Sequence, residues 1–202
     1  MRRLGRVIIL TLTLAGLSLL LGACSASVST SDKSSPEPKT YTNDRYGFTI
    51  AYDGQLEEGK STSGDGSNGG SVFDVTFADK SGPTVGGNYA NGMQIAVYKL
   101  ARKVKRSEVP KLKKEISSVV KRIMTSYPSA KLEQPLEELR VNGVPGFGFG
   151  YSYVQDGITL KGVSFFLFNG RYEYQLTAQA AAADWGSLKG KLESAFQTFT
   201  LK

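Results

Sequence analysis

The chain has 202 residues, of which 40% are hydrophobic and 21% charged, with 23 Gly, one Cys and no His. This composition is typical of a globular domain and excludes collagen-like and disulfide-rich chains. Because His is absent, Ser-His-Asp hydrolases, Cys-His hydrolases and His-ligated zinc sites are also excluded. The formal net charge is +7, which directs attention to anionic partners.

The first 23 residues have the three zones of an export signal. Arg2, Arg3 and Arg6 precede an apolar run of 15 residues, and small residues follow it before Cys24. A membrane-spanning helix needs about 20 apolar residues, so we expect a cleaved signal peptide rather than a permanent anchor. The residues Leu21-Gly22-Ala23-Cys24 resemble the lipobox of bacterial lipoproteins. That resemblance implies that Cys24 becomes the first mature residue and carries a diacylglyceryl group.

Residues 24–39 are rich in Ser, Thr and Pro and have almost nothing apolar to bury. They are predicted to form a flexible tether between the membrane and a folded domain. A buried or stray free thiol is the alternative interpretation of Cys24, but the residue lies between a signal and a polar linker, where no core exists to bury it. We therefore expect a protein anchored by lipid on the extracytoplasmic face of the cell membrane.

Alternating apolar residues begin near Tyr41 and predict several strands. Phe48, Ile50 and Tyr52 share one face of the first strand, and Phe73, Val75 and Phe77 share one face of the next. A long Gly/Ser-rich segment at residues 59–70 separates them and is predicted to be a solvated loop. A further strand is expected near Met93 to Leu100.

A helix is predicted from Ser107, as its N-cap, to about Ser126, with Pro110 in its first turn. Apolar residues recur there at helical spacing and indicate one buried face, namely Val109, Leu112, Ile116, Val119 and Ile123.

Strands are next expected near residues 132–141 and 147–154. Asp156-Gly157 and Asn169-Gly170 then predict two tight hairpins, because both pairs tolerate positive φ. Asp184 is the predicted N-cap of a last helix. The apolar stripe of that helix is predicted to contain Trp185, Leu188, Leu192, Ala195, Phe196 and Phe199. Strands joined by hairpins, with two helices, indicate an α+β fold in which helices pack on an antiparallel sheet.

Several of these features together resemble the PsbP-like fold. They are the segment YGFTIAY at residues 46–52, the central amphipathic helix, the turn VNGVPG at residues 141–146 and the closing helix. Members of that family include an extrinsic subunit of photosystem II and bacterial lipoproteins of the LpqN type. The resemblance implies an α/β/α sandwich over residues 40–202, used for protein interaction rather than catalysis. Family roles that depend on His are not transferred, because this chain has none.

The strand candidate GFGFGYSY at residues 146–153 would place four aromatic residues on one face and three glycines with a serine on the other. A bare glycine face allows close approach of a flat neighbour. A packed helix is the favoured occupant, and a small apolar or amphipathic ligand is the alternative.

Carboxylates occur as Glu57-Glu58, Glu137-Glu138 and Asp184, but no motif sets two of them across a cleft. We therefore expect no catalytic residues, and the sequence suggests neither a metal site nor a cofactor.

Positive charge is concentrated between Lys99 and Arg122, where ten basic and two acidic residues give a net charge of +8. One interpretation is a solvated helix face. The other is a surface for an anionic partner, formed by Lys111, Lys114, Lys121 and Arg122. That partner would be a protein or an anionic envelope component. Nucleic acid is not expected, because an exported protein rarely meets it.

The leading hypothesis is a non-enzymatic lipoprotein that binds a protein or an envelope component. The alternative is a carrier or sensor of a small apolar or amphipathic ligand.

Overall fold

The computed structural model describes residues 36–127 and 129–202. It contains two α-helices, α1 (Lys113–Thr125) and α2 (Ala182–Gln197), and two 3₁₀ segments, Ser67–Gly69 and Arg106–Leu112. The strands are β1 (Lys39–Asn43), β2 (Phe48–Tyr52), β3 (Glu57–Glu58), β4 (Phe73–Ala78), β5 (Thr84–Val85), β6 (Asn88–Tyr89), β7 (Gly92–Val104), β8 (Lys131–Val141), β9 (Val144–Gln155), β10 (Ile158–Ala181) and β11 (Thr200–Leu201).

The main sheet has the order β3-β4-β7-β10-β9-β8, and every neighbouring pair is antiparallel. The chain reverses direction within β10. The first half of β10 pairs with β9, and the second half pairs with β7. The side-chain oxygens of Ser164 and Thr177 lie 3.0 Å apart, although a straight strand would separate these residues by about 40 Å. Gly170, with φ of 63°, allows the reversal. The predicted hairpin at Asn169-Gly170 is therefore confirmed.

The hairpin at Asp156-Gly157 is also confirmed. These residues have φ of 50° and 76°, and they connect Gln155 to Ile158, which form the last pair of β9 and β10. Positive φ at both central residues is typical of the type I′ turn that fits the twist of antiparallel strands.

The α2 side of the main sheet carries a second layer. A small sheet in the order β1-β2-β11 and helix α2 lie there. The predicted inward residues Phe48, Ile50 and Tyr52 of β2 are buried, as are Phe73, Val75 and Phe77 of β4. They form one core with residues of α2, including Leu192, Ala195 and Phe196.

The α1 side holds a separate core, in which the helix packs on the aromatic face of β9. Ile116, Val119 and Val120 of α1 are buried against Phe147 and Phe149. The predicted α+β class, with helices on an antiparallel sheet, is confirmed.

The start of the basic helix differs from the prediction. Residues Arg106–Leu112 form a 3₁₀ segment, and the α-helix begins only at Lys113. The N-cap of the 3₁₀ segment is Lys105, not Ser107, and the backbone N–H of Lys105 donates to the Glu108 carboxylate at 2.9 Å. Pro110 has no N–H to donate, which favours the short 3₁₀ geometry before the regular helix.

The start of α2 also differs from the prediction, by three residues. The N-cap is Ala181, and Asp184 lies in the first turn, where its carboxylate accepts a hydrogen bond from Asn91 Nδ2 at 2.8 Å. An acidic side chain in the first turn still interacts favourably with the helix dipole. Phe199, assigned to the helical stripe, lies beyond the helix and is buried.

The Gly/Ser-rich segment extends the sheet at the outer edge of β4. Gly59 N donates to Thr76 O at 2.8 Å, and Thr62 and Asp74 exchange two backbone hydrogen bonds of 2.9 Å. This pairing covers backbone groups that would otherwise form an exposed sheet edge. The segment is therefore only partly the solvated loop that the sequence predicts.

Candidate interaction surface

All ten basic residues between Lys99 and Arg122 are exposed. They lie on the end of β7, on the 3₁₀ segment and on α1, and we call them the basic surface: Lys99, Arg102, Lys103, Lys105, Arg106, Lys111, Lys113, Lys114, Lys121 and Arg122. The four residues predicted as the partner surface, Lys111, Lys114, Lys121 and Arg122, are among them. Their exposure is what such a surface requires, and their binding role stays a prediction.

The helical apolar pattern is what turns these charges outward. Val109, Ile116 and Val119 are buried, and Leu112 and Ile123 are partly buried against the same core. Because one face of α1 is held against the sheet, the lysines on the other positions must face solvent.

Few acidic groups neutralise the basic surface. Arg102 pairs with Glu108 at 3.3 Å. The backbone N–H of Lys105, with Arg102 beside it, lowers the pKa of Glu108, so this carboxylate stays ionised. Among the described residues, Lys111, Lys114 and Lys121 take part in no ion pair. The charges of these three lysines are therefore available to an external partner.

A shallow groove of about 370 Å³ adjoins the basic surface. It lies between the 3₁₀ segment, at Val109 and Pro110, and the facing ends of β8 and β9, at Arg140 and Pro145. Arg140 is exposed and adds a further positive charge at this groove.

The glycine face of β9 is filled by side chains of the neighbouring strands. A methyl group on Gly148 would lie 2.5 Å from Leu139 Cδ2 and 2.9 Å from Phe165 Cδ1, and one on Gly150 would lie 3.1 Å from Gln134 Cβ. The expectation that a helix packs directly on these glycines is wrong, because cross-strand side chains occupy the space. The same contacts leave no room there for the ligand considered as the alternative.

The α1 side of the sheet also carries a row of polar residues that sequence reasoning missed. Glu173 and Gln175 of β10 are buried, and Gln94 Nε2 donates to Asp74 Oδ1 at 3.3 Å. Burial raises the pKa of the Asp74 carboxyl, and it raises the pKa of the neighbouring Tyr98 well above its usual range. The alternation of Glu, Gln and Thr in RYEYQLTAQ was the available signal, since it predicts one polar face.

The carboxylates weighed for catalysis are separate in the structure. Glu57 is exposed and pairs with Lys80 at 2.6 Å. Glu58, Glu137 and Glu138 are also exposed. The Asp184 carboxylate accepts a hydrogen bond from Asn91. Within residues 36–127 and 129–202, no three metal-ligating side chains form a group that could hold a metal ion. No helix in the same ranges is long and apolar enough to cross a membrane.

The signal peptide, Cys24 and most of the tether lie outside the described residues. The predictions made for them stay predictions.

Comparison with known proteins gives the fold alone. No protein-family model matches the sequence, and no curated protein matches it. Solved structures do match. The cyanobacterial PsbP protein of Synechocystis is similar with a TM-score of 0.58 and 11% identity, over 87% of this chain and 98% of that one.

LpqN of Mycobacterium tuberculosis, described as involved in cell envelope biogenesis, matches with a TM-score of 0.50 and 9% identity, over 82% of this chain and 91% of that one. A protein from Bacteroides thetaiotaomicron matches with a TM-score of 0.51 and 12% identity, over 81% of this chain and 48% of that one. The chain therefore has a PsbP-like fold, as the sequence predicts.

Proposed function

We propose that this protein is a lipid-anchored, extracytoplasmic binding module whose basic surface binds an anionic protein or envelope component. The observation that carries the proposal is that all ten basic residues of that surface are exposed. Three of them, Lys111, Lys114 and Lys121, take part in no ion pair with the described residues. Charges with a purely structural role are expected to be paired, and charges without partners remain available for binding.

The proposed location rests on the lipobox-like residues Leu21 to Cys24 and on the short apolar run before them. The likeness in fold to LpqN, a protein involved in cell envelope biogenesis, agrees with that location. Two or three acyl chains on one cysteine would hold the domain firmly at the membrane.

The proposed absence of catalysis rests on the residues. The chain has no His, and the described carboxylates that sequence reasoning weighed either face solvent or are hydrogen-bonded within the domain. The carrier function is not proposed, because Leu139, Phe165 and Gln134 fill the space beside the glycines of β9 that it required.

The test of binding uses residues 24–202 with Cys24→Ser and two triple variants of equal charge change. The first is Lys111→Gln, Lys114→Gln, Lys121→Gln. The control is Lys60→Gln, Lys80→Gln, Lys189→Gln, all remote in sequence from the basic surface. The probes are vesicles containing phosphatidylglycerol, inorganic polyphosphate and polyglutamate.

The first triple variant should bind the preferred probe about 100-fold more weakly, since each lysine near an anionic surface contributes about 1 kcal/mol. The control should bind like the wild type. Thermal unfolding should barely change in the first variant, and the control should lose a small amount of stability with its two ion pairs. Equal affinities of wild type and first variant for every probe would show that the basic surface is only solvated.

The lipid anchor is tested by metabolic labelling with a palmitate analogue. Cys24→Ser should remove the label and release the protein from the membrane fraction, while the domain stays folded. Equal labelling of wild type and variant would contradict the lipobox interpretation.

A further inference from the structure

The structure shows where the chain enters the domain. Pro36 and Glu37 lie against Gly54, in the turn after β2, so closely that a methyl group on Gly54 would meet the Glu37 carbonyl oxygen at 2.1 Å. Strand β1 then begins with Lys39 paired to Tyr52. The chain therefore enters on the α2 side, in the layer formed by the small sheet.

The site where the chain enters is acidic, and its lysines are largely paired. It contains Glu37, Asp53, Glu57, Glu58 and Asp79. Lys191 pairs with Asp53 at 3.0 Å and Lys80 pairs with Glu57 at 2.6 Å. We call this region the acidic corner.

The acidic corner lies at the end of the main sheet where β7 begins. Glu57 of β3 is paired with Ala78, and Ala78 is paired with Gly92, the first residue of β7. From Gly92, β7 runs 13 residues to Val104, a length of about 40 Å. The residues from Lys99 to Lys114, which carry most of the basic surface, lie at that far end, and α1 packs on the opposite side of the sheet.

The segment between the proposed anchor and the domain can span this distance only when it is almost fully extended. Pro36 is twelve positions after Cys24 in the sequence, and twelve steps of fully extended chain span at most about 43 Å. Only a nearly extended segment would allow the domain to turn over and bring its far end to the lipid. Full extension is entropically costly, so the acidic corner should lie nearer the membrane.

The composition of the basic surface indicates the kind of partner. Seven of its ten basic residues are lysine, whereas protein interfaces are depleted in Lys and enriched in Arg and aromatic residues. The exposed large apolar residues among the described ones, Tyr89, Leu132 and Val154, lie outside residues 99–122. Hydrated point charges in a segment with no large exposed apolar residue suit a flexible polymer with repeated anionic groups.

We infer that the basic surface binds an anionic polymer, bearing phosphate or carboxylate groups, on the side of the domain that faces away from the anchoring membrane. This inference rests on the proposed function and specifies its partner and its orientation. An acidic protein and the anchoring membrane itself are the outcomes that would contradict it.

The test uses the lipidated protein, purified from membranes in detergent and reconstituted into vesicles of phosphatidylcholine, with or without phosphatidylglycerol. A fluorophore is attached either at Ser107→Cys, next to Arg106 of the basic surface, or at Gln55→Cys, close to Asp53 of the acidic corner. Both positions are exposed. Energy transfer to an acceptor on the lipid headgroups reports which end lies nearer the membrane. Polyphosphate and polyglutamate are then titrated against the free and the reconstituted protein.

We expect stronger energy transfer from position 55 than from position 107 in both kinds of vesicle. Polymer affinity should be the same for free and reconstituted protein, and phosphatidylglycerol should not compete. Stronger transfer from position 107, or loss of polymer binding when phosphatidylglycerol is present, would overturn the inference and leave anionic binding intact.

Two further results are distinguishable from these. Binding of the free protein to anionic vesicles but to neither polymer would overturn the inference alone. Binding to no anionic probe would instead overturn the proposed function, and the inference would fail with it.

Discussion

The two sides of the main sheet use charge differently. On the α2 side, lysines contact acidic partners, as in Lys191 with Asp53 at 3.0 Å and Lys189 with Glu193 at 2.7 Å. On the α1 side, Lys111, Lys114 and Lys121 take part in no ion pair with the described residues. The α1 side also buries polar groups of the sheet itself, including Glu173 and Gln175.

This difference separates charges that serve the fold from charges that remain available. The α2 side is an aromatic and aliphatic core closed by a small sheet and a helix, with ion pairs at its rim. The α1 side covers only part of the sheet with apolar residues, and its helix exposes a row of cations. Substitutions on the α2 side should therefore change stability, and substitutions in the basic surface should change binding.

The largest effect on stability is expected from Gly146→Ala on the α2 side. A methyl group there would lie 2.1 Å from the Phe166 carbonyl oxygen and 2.9 Å from Leu167 Cδ2. Because backbone must move to relieve this contact, we expect a loss of about 3 kcal/mol in the free energy of unfolding.

Gly186→Ala is the matched control, since this glycine lies in α2 with nothing within 4 Å of the added methyl. It should stabilise the domain by about 0.5 to 1 kcal/mol. Urea denaturation measures both variants, and equal stabilities would show that the glycine face of β9 is loosely packed.

A smaller effect is expected from Asp74→Asn on the α1 side. Burial raises the pKa of this carboxyl, so its ionised form at neutral pH costs the folded state free energy. The variant should be more stable than the wild type at pH 7 by about 1 kcal/mol or less, because the group is only partly buried.

The gain of Asp74→Asn should shrink as the pH falls through the raised pKa of Asp74 toward its ordinary value of 3.8. Below the raised pKa, the wild-type carboxyl is neutral in the folded state, and it then resembles the uncharged amide of the variant. Urea denaturation at pH 7 and at pH 4 measures the difference. A variant that is less stable at pH 7 would show that the hydrogen bonds from Ser71 and Gln94 to the charged carboxylate outweigh its desolvation.

The smallest effect is expected from Lys191→Gln in the acidic corner. Burial alone would raise the pKa of Asp53, but the hydrogen bonds from Gln55 N and Lys191 leave that pKa lowered. The pair therefore stabilises the folded state at neutral pH, and this contribution is lost as the pH falls through the lowered pKa.

Because the Lys191 side chain of this pair is exposed to solvent, Lys191→Gln should cost less than about 1 kcal/mol in thermal unfolding experiments. Binding to anionic probes should stay unchanged. Weaker probe binding than in Lys60→Gln, the single-site control, would show that the two sides are not functionally separate.

Local sequence signals predicted the parts of the fold that depend on local chemistry. Asp156-Gly157 and Asn169-Gly170 predicted hairpins because few residue types adopt positive φ. The spacing of Ile116 and Val119 predicted the buried face of α1, and with it the exposure of Lys114 and Lys121.

Features that depend on distant partners were not predictable. Strand β11 has two residues, and its Thr200 pairs with Thr49. About three quarters of the sequence lies between these two residues. The glycine face of β9 is closed by Phe165 and Leu139, whose positions are fixed only by strand register. The sequence analysis missed the polar row on the α1 side for a different reason. In the same segment, Tyr172 and Tyr174 alternate on the opposite face, and that apolar pattern is the stronger signal.

The candidate surface was predicted in composition but not in orientation. The sequence places ten basic residues between Lys99 and Arg122. These residues lie on the side opposite the point where the chain enters the domain. Only the three-dimensional arrangement of β1, β7 and α1 shows this.

The most direct test of the central claim is the salt dependence of polyphosphate binding by the wild type and by the Lys111, Lys114 and Lys121 triple glutamine variant. Each lysine that contacts a flexible polyanion adds about 0.7 to the slope of log affinity against log salt concentration. The wild-type affinity should fall steeply with salt, and the slope of the triple variant should be smaller by about 2. Equal slopes for the two proteins, or a wild-type affinity that does not change with salt, would contradict a binding role for the basic surface.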